Sequence, residues 1–115
     1  MKKIYYLKTC DTSKRILKQI PLDGFTLQEI KTEPITVKQL EEMFELSGSY
    51  ESLFSRRAKK YKQMDLKDQS LNEIDYKQLI LEEYTFLKRP VIIIEDQIYI
   101  GSSKKTVDSM LQEIQ

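Results

Sequence analysis

Two hydrophobic periods take turns along this chain. Near the start, Ile4-Tyr5-Tyr6-Leu7 is a short β-branched and aromatic run that predicts a buried strand. Lys8, Thr9 and Cys10 follow it, and then Asp11, Thr12 and Ser13 offer three helix-starting side chains in a row. Ile16, Leu17 and Ile20 recur at helical spacing until Pro21, which a helix interior does not tolerate. Asp23-Gly24 is a turn signal, after which Phe25 and Leu27 alternate as in a half-buried strand. Strand, helix and strand within 30 residues predict a right-handed βαβ unit with a parallel pair.

The middle of the chain is helical in pattern. Thr36 and Gln39 fit a capping box, and Val37, Leu40, Met43 and Phe44 form one apolar stripe expected to be core. Gly48 ends that helix, and Ser49 can cap another that carries Leu53 and Phe54. Residues 55–63, SRRAKKYKQ, are basic. A further helix fits Asp75 to about Tyr84, with Asp75 and Gln78 as its box and Leu79 and Ile80 facing inward. The period then returns to two: VIII after Pro90, the turn Glu95-Asp96-Gln97, then IYI, an antiparallel hairpin. Beyond Gly101, Ser102 or Ser103 caps a last helix whose Val107, Met110, Leu111 and Ile114 share one face.

The order βαβ, helices, ββα describes a thioredoxin-like α/β domain over residues 1–115. Its sheet is expected to be mixed and four-stranded, with a helical insertion at about 36–86 and an antiparallel edge from the final hairpin. At 115 residues the chain is long enough for one core and too short for two.

Charge and composition mainly exclude. Nineteen basic residues against eighteen acidic leave a net charge of +1, without the basic excess of a protein that binds nucleic acid by bulk electrostatics. No apolar run is long enough for a signal peptide or a membrane span, so a cytoplasmic protein is expected, by default a monomer. The absence of histidine removes Ser-His-Asp and Cys-His catalysis together with His-ligated metals. A single cysteine allows no internal disulfide.

That cysteine is the one candidate nucleophile. Cysteine is often a buried, inert residue. At a strand-to-helix junction, however, the sulfur faces unpaired helix N–H groups that favour the reactive thiolate. Lys8, Lys14 and Arg15 would add to this, and Asp11 would oppose it. The amides of residues 11–13 could hold an oxyanion beside the sulfur. Ser13 can donate a hydrogen bond to the thiolate but cannot resolve a disulfide. A mixed disulfide on Cys10 therefore needs an outside thiol.

Three stretches carry a resemblance: CDTSKR at 10–15, SRRAKKYKQMDL at 55–66 and LKRPVIIIEDQIYIG at 87–101. In order and spacing they resemble the arsenate reductase-like (ArsC/Spx/YffB) family of the thioredoxin-like superfamily, over essentially the whole chain. Cys-Asp-Thr before a basic residue is most similar to the YffB-type members, regarded as thiol-dependent reductases. The resemblance implies Cys10 as nucleophile and Arg89, just before Pro90, as an oxyanion-binding residue. It also implies Arg57 as a second such arginine, with Arg56 its near rival, and a cis Pro90 opposite the cysteine. Thr12 and Ser13 complete the expected substrate-binding set.

The implied activity is reduction of an oxyanion such as arsenate, or of a mixed disulfide. No bound cofactor is implied; glutathione or a glutaredoxin is the external reductant. The chain differs from arsenate reductases proper in having Tyr6 where they carry a histidine, and Gly101-Ser102-Ser103 where they carry a third arginine. It differs from Spx proteins in having Ser13 in place of the second cysteine of their switch. The alternative that the family offers is an Spx-like, non-catalytic regulator that binds RNA polymerase.

Overall fold

The computed structural model describes residues 1–114, in two compact units: Met1–Pro34 with the residues from Arg89 onward, and Ile35–Lys88. The first unit holds the sheet. Strand β1 (Lys2–Tyr6) leads through α1 (Asp11–Leu17) to β2 (Thr26–Glu29). The hairpin β3 (Val91–Ile94) and β4 (Gln97–Ile100) precedes α5 (Lys104–Ile114). The strand order is β2-β1-β3-β4. β1 runs parallel to β2, with Ile4 opposite Leu27, and antiparallel to β3, with Ile4 opposite Ile92. β3 pairs antiparallel with β4, which forms the edge. The sheet is thus mixed, with one parallel pair.

The patterns explain these elements. β3 is buried along its whole length, which suits its unbroken Val-Ile-Ile-Ile run. The two-residue turn Glu95-Asp96 is tight enough that Glu95 adopts a left-handed φ of 54°. Ile4, Ile16, Ile20, Ile92, Ile94 and Met110 form one buried cluster, and Leu17, Val107, Leu111 and Ile114 pack against it. The helix predicted to run on to Pro21 stops at Leu17. Gln19 N–H then bonds to Ile16 O at 3.0 Å and Ile20 N–H to Leu17 O at 3.1 Å, a tightened turn that still delivers Ile20 to the core. Ser103 caps α5: its Oγ accepts the Thr106 N–H at 3.2 Å.

The second unit contains α2 (Val37–Ser47), α3 (Lys59–Gln63) and α4 (Glu73–Glu82), joined by single 3₁₀ turns. α2 starts at the predicted capping box of Thr36 and Gln39 and ends at Gly48, whose φ of 80° is left-handed. Leu40 and Met43 are fully buried. Val37, expected in the same stripe, is 50% exposed because it sits on the first turn. Phe44 is half-buried and stacks on Tyr50 with 4.5 Å between ring centroids.

The predicted longer helix is one 3₁₀ turn, Glu51–Leu53, whose N-cap is Tyr50; Ser49, expected as the cap, accepts the Ser52 N–H with its Oγ at 3.2 Å. Phe54 leaves that turn extended and bridges Leu87. α4 begins before the predicted Asp75: its box pairs Asn72 with Asp75, not Asp75 with Gln78. Ile80 is buried and Leu79 half-buried. Phe54 anchors the aromatic interior, with Phe86, Tyr76 and Tyr61 rings 5.0, 4.9 and 6.0 Å away. No helix among the described residues is long and apolar enough to cross a membrane.

Candidate active site

β1 ends at Tyr6, and the chain then turns on a hydrogen bond from Cys10 N–H to Leu7 O at 3.1 Å. Cys10 occupies the N-cap of α1 with extended φ and ψ of −98° and 107°. Its carbonyl accepts the first helical bond, from Lys14 N–H at 3.1 Å. The thiol is partly exposed and makes no capping hydrogen bond, so the sulfur remains available.

Ser13 sits one turn along α1, fully buried. Its Oγ meets no protein group in hydrogen-bond geometry. A buried hydroxyl in that state costs free energy, and the group it favours is the Cys10 thiolate beside it. Arg89 comes from the other end of the unit, half-buried, before a cis Arg89–Pro90 peptide bond. Pro90 is buried, and its carbonyl accepts Gly101 N–H at 2.9 Å, which closes the open end of the hairpin.

These groups set the chemistry of the sulfur. Burial pushes the Cys10 thiol up, but the nearby Ser13 hydroxyl and backbone N–H pull it down, as do the hydrogen bonding and charge of Arg89. Together they outweigh burial, and the thiol titrates below its ordinary value. The main favourable groups are therefore Ser13 and Arg89, and not the flanking Lys8, Lys14 or Arg15. A partly exposed thiolate between a serine donor and a guanidinium can attack an electrophilic sulfur or the central atom of an oxyanion. The same donors can hold the negative charge of the substrate.

Of the residues predicted for the site, Cys10, Ser13 and Arg89 are brought together. Thr12 is half-buried on the first turn of α1. Arg57 belongs to the second unit, exposed, with its backbone N–H on Ser55 Oγ at 3.3 Å. Its rival Arg56 is engaged there, donating to Glu51 at 2.7 Å and to the Tyr76 hydroxyl at 3.1 Å. Among the described residues no three Cys, Asp or Glu side chains gather into a metal site.

The sequence reading passed over Glu29. This carboxylate, at the end of β2, is buried and accepts the backbone N–H of Lys8, two residues before Cys10, at 3.0 Å. Alternation in a strand gives no sign of such a residue, because its partners are backbone amides.

The sequence profile of the ArsC family matches residues 5–110. No curated relative matches the chain in sequence. Among solved structures, the YFFB protein superposes with a TM-score of 0.82 at 19% identity over 100% of both chains. An arsenate reductase from Vibrio cholerae gives 0.72 at 19% identity, over 99% of this chain and 97% of its own. An arsenate reductase (ArsC) related protein from Brucella melitensis gives 0.68 at 21%, over 94% and 92%. At such identities these likenesses show the fold, the mixed-sheet thioredoxin-like fold of ArsC proteins. With that fold and a profile match over nearly its whole length, the chain belongs to the ArsC family.

Proposed function

We propose that this protein is a thiol-dependent reductase that uses Cys10 as its single nucleophile and glutathione or a glutaredoxin as external reductant. The observation that carries this reading is the placement of a partly exposed Cys10 between Ser13 and Arg89, which favours its thiolate.

Two substrates fit the chemistry. With a mixed disulfide, the Cys10 thiolate attacks the glutathionyl sulfur and the substrate leaves as a thiolate. A second glutathione then attacks the Cys10 mixed disulfide, releasing glutathione disulfide and the Cys10 thiolate. With arsenate, Cys10 displaces an arsenate oxygen as water, forming a thio-ester. Glutathione attacks the Cys10 sulfur, arsenic leaves with the electron pair as arsenite, and the resulting mixed disulfide is released as before. With arsenate the two electrons come from two thiols outside the chain; with a mixed disulfide one outside thiol suffices, because the other half of the released glutathione disulfide comes from the substrate. Arg89 and Ser13 hold the anionic group, and Thr12 and Arg57 are further candidates for substrate contact.

The test is a coupled assay of glutathione disulfide formation, with and without glutaredoxin, using arsenate and a glutathionylated peptide in parallel. Turnover of at least one substrate, abolished by Cys10→Ser, is expected. A folded wild-type protein that turns over neither would contradict the proposal.

A further inference from the structure

Glu29 stands out among the buried groups that the proposed chemistry does not use. Only 9% of its surface is exposed, and a carboxylate so placed must be well satisfied. Oε2 accepts the Lys8 N–H at 3.0 Å, and Oε1 accepts both the N–H and the hydroxyl of Thr32, at 2.8 and 2.9 Å. Burial pushes the carboxyl up, but the N–H groups of Lys8 and Thr32 and the Thr32 hydroxyl hold it below its usual range. It is therefore an anion at neutral pH.

The position of these contacts matters more than their number. Leu7 to Cys10 form a turn closed by the Cys10 N–H to Leu7 O bond. Lys8 N–H lies inside that turn, so the Glu29 contact ties it to the end of β2. The far side is also fixed: Glu33 N–H bonds to Glu29 O at 2.8 Å, and the buried Gln28 donates to Glu33 O at 3.0 Å. One carboxylate thus links the segment that presents the cysteine to the segment that closes β2. Ser13 and Arg89 favour the thiolate only if the sulfur stays in register with them. The strand before the turn is held by Ile30 N–H on Tyr6 O and the end of the turn by Lys14 N–H on Cys10 O, so the Glu29 contact fixes the part of the turn between.

We propose that Glu29 is a positioning residue for Cys10, holding the Leu7–Cys10 turn through the Lys8 amide so that the sulfur stays against Ser13 and Arg89. This rests on the reading of Cys10 as a reactive thiolate. It makes Glu29 a determinant of reactivity, although it does not touch the substrate.

Glu29→Gln is the direct probe. The amide keeps the size, but its NH₂ must face either the Lys8 or the Thr32 N–H, donor against donor. The ultraviolet absorbance of the thiolate and iodoacetamide alkylation are followed against pH in the full chain, with folding checked by circular dichroism. In the variant the Cys10 midpoint should rise, and alkylation below it should be about three- to tenfold slower, since only the thiolate reacts. Met110→Ala, in the core, separates this from general loosening: it should lower the melting temperature while leaving the Cys10 midpoint in place.

If Glu29→Gln does not fold, Thr32→Val is read in its stead. It removes the hydroxyl bond to Oε1 and leaves the backbone N–H bond there, so a smaller slowing in the same direction is expected. A lowered wild-type midpoint that Glu29→Gln leaves unchanged, or that Thr32→Val leaves unchanged where it is the variant read, overturns the role of Glu29 alone. An ordinary midpoint in the wild type overturns the reductase reading beneath it.

Discussion

The two units treat their polar groups in opposite ways. In the sheet unit, Ser13, Gln28 and Glu29 are buried, and they are the buried polar residues among those described. Glu29 and Ser13 flank the segment that carries Cys10. In the helical unit the polar contacts lie outside, as the capping boxes of Thr36 and Asn72 and the ion pairs Arg56–Glu51 and Lys77–Glu41. Its interior is the aromatic cluster around Phe54. Burying a polar group costs free energy unless it is fully partnered. The difference therefore teaches where the chain gives up packing for chemistry: beside the cysteine, and not in the insertion.

The comparison is sharpest where it is largest. Phe54→Ala empties the aromatic interior of the helical unit and should destabilise by about 3–5 kcal/mol, as measured by denaturant unfolding. Removing a surface polar contact there should matter less. Thr36→Ala loses the cap of α2, including the bond from Gln39 N–H to Thr36 Oγ1 at 3.0 Å, and should cost about 1 kcal/mol. A Phe54→Ala variant as stable as the wild type would show that the cluster does not hold this unit together.

In the sheet unit the effects on stability shrink while those on chemistry grow. Because the Cys10 pKa is lowered on folding, the folded state binds fewer protons than the unfolded one across that window. Stability should rise as pH climbs from the folded-state pKa toward the ordinary thiol value, and be lost as pH falls through the folded-state pKa. The rise should be modest because the sulfur is partly exposed. Cys10→Ser should flatten it, read as the difference between the two proteins' unfolding free energies against pH.

Smallest of all in stability is Ser13→Ala. It removes a buried hydroxyl that has no partner in strict hydrogen-bond geometry and acts on the nearby Cys10 sulfur, so stability should stay within about 1 kcal/mol of wild type while the Cys10 midpoint rises. A large loss of stability with an unmoved midpoint would reverse the comparison.

The same contrast governs what could be read from the sequence. The hairpin, α5, the Thr36 box and the Gly48 stop were legible because period and capping are local. The start of α4 was not, because two overlapping boxes fit and Asn72 takes the cap with an aspartate, Asp75, at the third position. Val37 kept the stripe's spacing but fell on an exposed first turn. Cys10 and Arg89 could be named from motifs. Glu29 could not: Gln28 and Glu29 are buried in succession, against strand alternation, Gln28 to donate to the Glu33 carbonyl and Glu29 to accept the Lys8 N–H from 21 residues away.

The most direct test is the rate of Cys10 alkylation by iodoacetamide against pH, in the wild type and in Arg89→Met. A wild-type midpoint below the ordinary thiol value of about 8.5, moving upward when the guanidinium is removed, is the predicted result. A wild-type midpoint at or above that value, or one that Arg89→Met leaves unchanged, would contradict a thiolate held at this site by Arg89.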